Sequence, residues 1–227
     1  MRYNDSPAIQ TEYTVTSAPE YEILTAAELR YHLRLPDFGD ADADEDAYLT
    51  SLIKACGNAI ETTVRRPVRA QTRQLTMRRF PYDNDGYGGD LSYWWGGWNR
   101  RGAILLDVTP IRAVTAVTYV DGDGGESMTV PAADYDVRGT GEHITRQVEI
   151  VLRDGKSWPL LNYEDSEVTI TVDCGWTQAA LPEEFKHAAR LIAGNWYNFR
   201  NEIITGAAIA KVPRSVEYLL QQFERYF

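Results

Sequence analysis

The chain has 227 residues and a mass of 25.7 kDa, with 44% apolar and 25% charged residues. That is the composition of a folded globular protein of one or two domains, long enough to bury about 70% of its unfolded surface without metal or disulfide help. Its 33 acids against 23 bases give a net charge of −10, which argues against a sequence-reading DNA-binding protein with a basic footprint.

Residues 1–22 are polar and aperiodic, with Pro7 and Pro19, and are expected to form an extended N-terminal arm. Thr25 to Glu28 has capping-box spacing and opens a short helix ending near Arg34, before Pro36. Six acids crowd residues 37–46. A calcium loop starting at Asp40 fails at both diagnostic places, because Glu45 stands where glycine is needed and Ser51 where glutamate is needed. Acids before a helix complement its dipole instead. Leu49, Leu52, Ile53, Cys56, Ala59, Ile60 and Val64 then follow the helical period, predicting a core helix over about 44–64 that ends at Arg65, Arg66 and Pro67.

From Gln71 to Phe80 the period changes to that of a strand. Residues 82–102 hold six glycines, three tyrosines and three tryptophans in 21 positions, and carry neither period. They are expected to form a long loop, whose Tyr93, Trp94, Trp95 and Trp98 are candidate partner-binding residues because exposed aromatics favour burial in an assembly. Further strands are expected at 103–108, 114–120, 126–130, 135–137, 147–152 and 167–173. The Asp121 to Gly125 run is a hairpin turn between two of them. Glu183 and Glu184 behind Pro182 open a helix to about Asn201, and Pro213 opens another to Phe227.

The expected architecture is α+β. Residues 23–70 and 181–227 form a helical module, and 71–180 form a β-rich insertion built as a small antiparallel sheet or barrel. Cys56 and Cys174 fall in helix and strand settings and are expected as free core thiols. The N-terminus shows no signal pattern and no apolar run reaches about 20 residues, so a soluble, unsecreted protein without membrane contact is expected.

Catalytic motifs are absent from the sequence. His32, His143 and His187 have no metal spacing, and there is no nucleophile elbow, P-loop or dinucleotide fingerprint. No enzyme activity, cofactor or metal is expected. Eight of the 19 arginines fall between Arg65 and Arg101, downstream of the acidic cluster. Asp42, Asp44 and Asp46 on one patch and Arg65, Arg66 and Arg69 on another are candidate subunit–subunit charge contacts, with pairing inside the chain as the equal alternative.

The run DEDAYLTSLIKACGNAIETTVRRPV (Asp44–Val68) resembles the opening helix of tailed-bacteriophage head–tail connector proteins, followed by a strand from Gln71-Thr72. The likeness continues through LLDVTPIRAVTAVTYVDGDG (Leu105–Gly124), Trp158-Pro159, TVDCGW (Thr171–Trp176), LPEEFKHAARLIAGNWYNFRN (Leu181–Asn201) and VPRSVEYLL (Val212–Leu220). Order and spacing carry it rather than any single motif. The 82–102 loop and the first 22 residues depart from the pattern.

The resemblance implies a non-enzymatic virion protein of the neck, assembled in the host cytoplasm. It implies a ring of identical copies, typically a dodecamer, joining the portal protein to a stopper or tail-completion protein. Duplex DNA would pass through its lumen without sequence-specific binding. Within that picture, Tyr218, Leu219, Phe223 and Phe227 of the last helix are candidate docking residues. Another neck role, as stopper or tail-completion subunit, is the alternative. A carbohydrate-binding module or an enzyme ranks below both.

Overall fold

A computed structural model describes residues 12–36, 43–81, 103–121, 125–142, 147–161, 166–199 and 214–224. The chain divides into two units, Met1–Ala18 with Gln71–Cys174, and Pro19–Ala70 with Gly175–Phe227. Each is described in turn.

The first unit is β. Its strands are β1 (Glu12–Val15), β2 (Gln71–Met77), β3 (Ile104–Leu106), β4 (Ile111–Val120), β5 (Met128–Thr129), β6 (Tyr135–Arg138), β7 (Val148–Leu152) and β8 (Glu167–Cys174). They form two antiparallel sheets, one ordered β1-β2-β8-β4-β5 and one ordered β3-β7-β6. Among the described residues these sheets stay separate and no barrel closes, so of the two expected forms the sheet is the one present.

The alternation of β8 is the clearest in the chain. Val168, Ile170, Val172 and Cys174 are buried while Thr169, Thr171 and Asp173 between them are half-exposed, the pattern of a strand with one face on a core. Leu75, Met77, Leu106, Val117, Val148 and Ile150 from the other strands join the same core. Phe80 lies stacked on Trp158 with centroids 4.8 Å apart and meets Tyr119 edge-on at 5.9 Å.

Residues 12–15, expected as part of an extended arm, form the edge strand β1. Tyr13 pairs with Leu75 in register and packs against the core. Its hydroxyl accepts the Asp107 N–H at 3.2 Å. Burial, then the Asp107 charge, push the Tyr13 phenol well above its ordinary value, so it stays a neutral anchor.

The second unit is helical, with α1 (Ala26–Leu33), α2 (Ala43–Val64), α3 (Glu183–Asn198) and α4 (Arg214–Gln221). The Thr25 and Glu28 capping box is complete: Glu28 N–H donates to Thr25 Oγ1 at 3.2 Å, and Thr25 N–H donates to Glu28 Oε2 at 2.8 Å. Helix α2 packs on α1, α3 and α4. It buries Leu49, Ile53, Cys56, Ile60 and Val64 against a core that includes Leu29, Phe185, Ala188, Ala189 and Ile192. Cys56 and Cys174 are both free and buried, and burial pushes the Cys56 thiol up to about 12.

Two helices end on arginines in the left-handed region, Arg34 at φ 57 and Arg65 at φ 56. In each, the next N–H closes the last turn: Leu35 N–H donates to Arg30 O at 3.1 Å, and Arg66 N–H donates to Glu61 O at 3.3 Å. This is the Schellman closure that glycine usually provides.

Gly175 has φ +82, and a Cβ there would lie 2.2 Å from Arg69 O. Gly155 has φ +74 with nothing within 4 Å of such a Cβ. Gly175→Ala is therefore expected to destabilise by about 3 kcal/mol, because strain and a backbone clash add, and Gly155→Ala by only about 1 kcal/mol. Urea unfolding of both variants measures the difference.

Candidate interaction surfaces

Tyr93, Trp94, Trp95 and Trp98 of the aromatic loop lie outside the described residues, as do Asp42 and Phe227. The other candidates are placed as follows.

Arg69 is not on a surface. It is 2% exposed. Its guanidinium meets Glu22 Oε2 at 2.8 Å through Nη1, and Asn58 Oδ1 at 2.6 Å and Glu61 Oε2 at 3.2 Å through Nη2. Glu61 Oε1 also accepts the backbone N–H groups of Val68 and Arg69, at 3.0 and 2.9 Å. Burial pulls the guanidinium pKa down, but the hydrogen bonds and charges of Glu61 and Glu22 more than reverse it, and the net shift is upward. The expected charge contact of Arg69 with another subunit is therefore replaced by three partners within the chain. Its guanidinium fills the space that a Cβ on Gly57 would take, with the guanidinium carbon 2.9 Å away.

Arg66 is also buried, at 7%. Asp46 is held within the chain, its Oδ1 accepting Arg30 Nη2–H at 2.7 Å and Nε–H at 3.2 Å, while Arg30 Nη1–H reaches Pro36 O at 2.7 Å. Asp44 and Arg65 are exposed. The charge patches expected from the sequence thus divide, with Asp44 and Arg65 facing solvent, Arg66 and Arg69 buried, and the half-exposed Asp46 paired with Arg30 of its own chain.

The last helix divides in the same way. Val216, Leu220 and Phe223 are buried. Phe223 sits 4.4 Å from the Phe185 ring and 6.2 Å from that of Trp176, so it packs in the core of its own chain. Leu219 is half-buried, and Tyr218 is 81% exposed.

A cleft between α1 and α3, which the sequence reading did not anticipate, is lined by Glu28, Tyr31, His32, Arg34, Leu35, Pro36, His187 and Arg190. Tyr31 is 88% exposed. His32 lies over Gly194, and a Cβ there would sit 3.4 Å from its Nε2, an ordinary contact distance. Burial first, then the charges of Arg190 and His187, hold His32 below its ordinary 6.5. The unfolded chain therefore protonates His32 before the folded one does, and this contribution to stability falls as pH drops through that value. Glu28 completes the capping box and also forms an ion pair with Arg190, at 3.7 Å.

Arg69→Met is expected to cost about 3 kcal/mol, at the low end for a broken buried pair, by leaving the partly buried Glu61 and Glu22 without their cation. Arg65→Gly is expected to add about 1 kcal/mol by relieving the left-handed residue. Phe223→Ala is expected to cost about 3 kcal/mol and Tyr218→Ala less than about 0.5 kcal/mol. Denaturant midpoints of the four variants check all of these.

No family model matches the chain, and no curated protein matches it. Solved structures do match it along nearly its whole length. A chain from the neck of an empty gene transfer agent particle, computed with C6 symmetry, is 24% identical over 95% of this chain and 96% of its own, with a TM-score of 0.68. A chain of the native gene transfer agent virion is 23% identical with the same coverage and a TM-score of 0.65. One from the neck of the native particle, computed with C12 symmetry, is 21% identical at a TM-score of 0.64. At these identities the likeness establishes a shared fold, with both units of this chain inside the matched length.

Proposed function

We propose that this chain is a structural component of the neck of a phage-like particle, and within the neck a head–tail connector that repeats as a ring below the portal. The observation that carries this reading is the length of the structural match, 95% of this chain and 96% of a neck chain at a TM-score of 0.68. A fold alone does not imply a function, but here the sequence resemblance to connector proteins points independently to the same place. The symmetric assemblies of the matched chains, C6 and C12, support repetition of this chain around an axis. In this reading its partners are further copies of itself, the portal, and the stopper or tail-completion protein that follows.

The charge fits that role. Each copy brings a net −10, and phosphate affinity comes largely from Lys and Arg. A ring with its acids toward the lumen lets duplex DNA pass without holding it. A stopper or tail-completion role is the second reading, because the matched neck chains fix no single layer.

The test is to mix the purified protein with DNA-filled, portal-bearing heads and image them by cryo-electron microscopy. A symmetric ring of density directly under the portal is the expected result. Density one layer further out favours the stopper reading, and heads that stay bare overturn the proposal.

A further inference from the structure

The helical unit carries two unusual surfaces that face solvent. One is the α1–α3 cleft, where Tyr31 stands 88% exposed among His32, Arg34, His187 and Arg190. Its carboxylate, Glu28, is already engaged at the start of α1. Glu28 keeps its charge there and pairs with Arg190 at 3.7 Å, so among the described residues the lining sets two arginines against one carboxylate around an exposed ring, and Tyr and Arg are the residue types that dominate protein contacts. A nucleic-acid track would need a run of cations without a carboxylate in the lining.

The second is the outer face of α4. Val216, Leu220 and Phe223 turn inward, while Glu217, Tyr218 and Gln221 are exposed. This face is acidic and aromatic where the cleft is basic and aromatic. Because Glu217 and Tyr218 point to solvent, they do not meet the cleft of their own chain.

We propose that the α1–α3 cleft receives the exposed face of α4 from a second copy of this chain, with Glu217 against Arg34 and Arg190 and Tyr218 packed on Tyr31. Two different patches on one unit make a heterologous contact, which propagates from copy to copy and closes as a ring when the rotation permits. The binding mode is a helix laid in a groove. A single such contact is small, so it is weak alone and gains strength when a ring closes on itself. This contact deepens the neck reading, which requires copies to repeat around an axis.

The test uses full-length chains bearing Ala27→Cys, one turn from Tyr31 on α1, or Gln221→Cys, one turn from Tyr218 on α4, both at exposed positions that leave the two rings in place. The native Cys56 and Cys174 are 0% exposed and do not compete for reagent. A short bis-maleimide added to the mixed chains is expected to give covalent dimers at least about tenfold above either chain alone, and the double variant a ladder of higher species. Adding Arg34→Glu and Arg190→Glu to the Ala27→Cys chain, together and singly, is expected to bring dimers down to background. Glu217→Arg on the other chain is expected to restore them. Unchanged circular dichroism and melting temperature confirm that each variant is folded.

Dimers no more abundant in the mixture than in the separate chains, or indifferent to charge reversal, overturn the contact. If the contact fails while the protein still occupies heads, the neck reading stands without it. If the contact forms and heads stay bare, the neck reading falls and the contact remains.

Discussion

The helical unit is organised around one buried cation. Arg69 follows the end of α2 and turns its guanidinium back under that helix, where Glu22, Asn58 and Glu61 take its hydrogens. The four residues come from three separate stretches of chain, so the cluster fixes where the segment before α1, the last turns of α2 and the segment after it meet. Gly57 is needed because its missing side chain is the space the guanidinium occupies. Gly175 is needed because its backbone passes against the Arg69 carbonyl. The Trp176 N–H then donates to Val68 O at 3.0 Å, and Tyr21 Oη–H donates to Trp176 O at 2.9 Å. Trp176 in turn presents its ring to Phe185 and Phe223. Each of these hydrogen bonds is directional, so the cluster ties the three segments together at defined positions.

Much of this architecture is written in local patterns. The capping box at Thr25 is a four-residue signal, and α2 and α3 keep an apolar period long enough to be unambiguous. Strand β8 alternates cleanly because one face is core. Strand β4 is harder to read. Its register against β8 shifts between Ile111 and Ala113 and again between Val114 and Ala116, and a bulge breaks the two-residue period that sequence reading relies on. The expected start at residue 114 falls between the two shifts, and the pairing runs unbroken only from Ala116. Strand β1 has four residues and one deeply set side chain, and its partner β2 lies far along the chain, so nothing local marks it.

The interaction surfaces were the least legible, for a related reason. In the sequence, Arg65, Arg66 and Arg69 look like one basic patch. Only the fold separates the exposed Arg65 from an Arg69 whose counter-ion Glu22 lies 47 positions away. The amphipathic period of α4 is plain, but the period alone does not say whether the apolar stripe covers the chain's own core or another protein. The rings of Phe185 and Trp176 answer that for Phe223. The cleft joins His32 to His187 and Arg190 across most of the chain length, and no spacing rule links residues so far apart.

The register of β2 with β8 has a consequence for how such a chain changes over time. Gln71, the first residue of the long β segment, pairs directly with Cys174, its last, so the two ends leave side by side at roughly 5 Å. A segment whose ends coincide is a cassette. It can lengthen, shorten or be exchanged without altering the span its host must bridge. The chain between Gln71 and Cys174 can therefore lengthen or shorten at its loops while its two ends, and the packing within the helical unit, stay as they are.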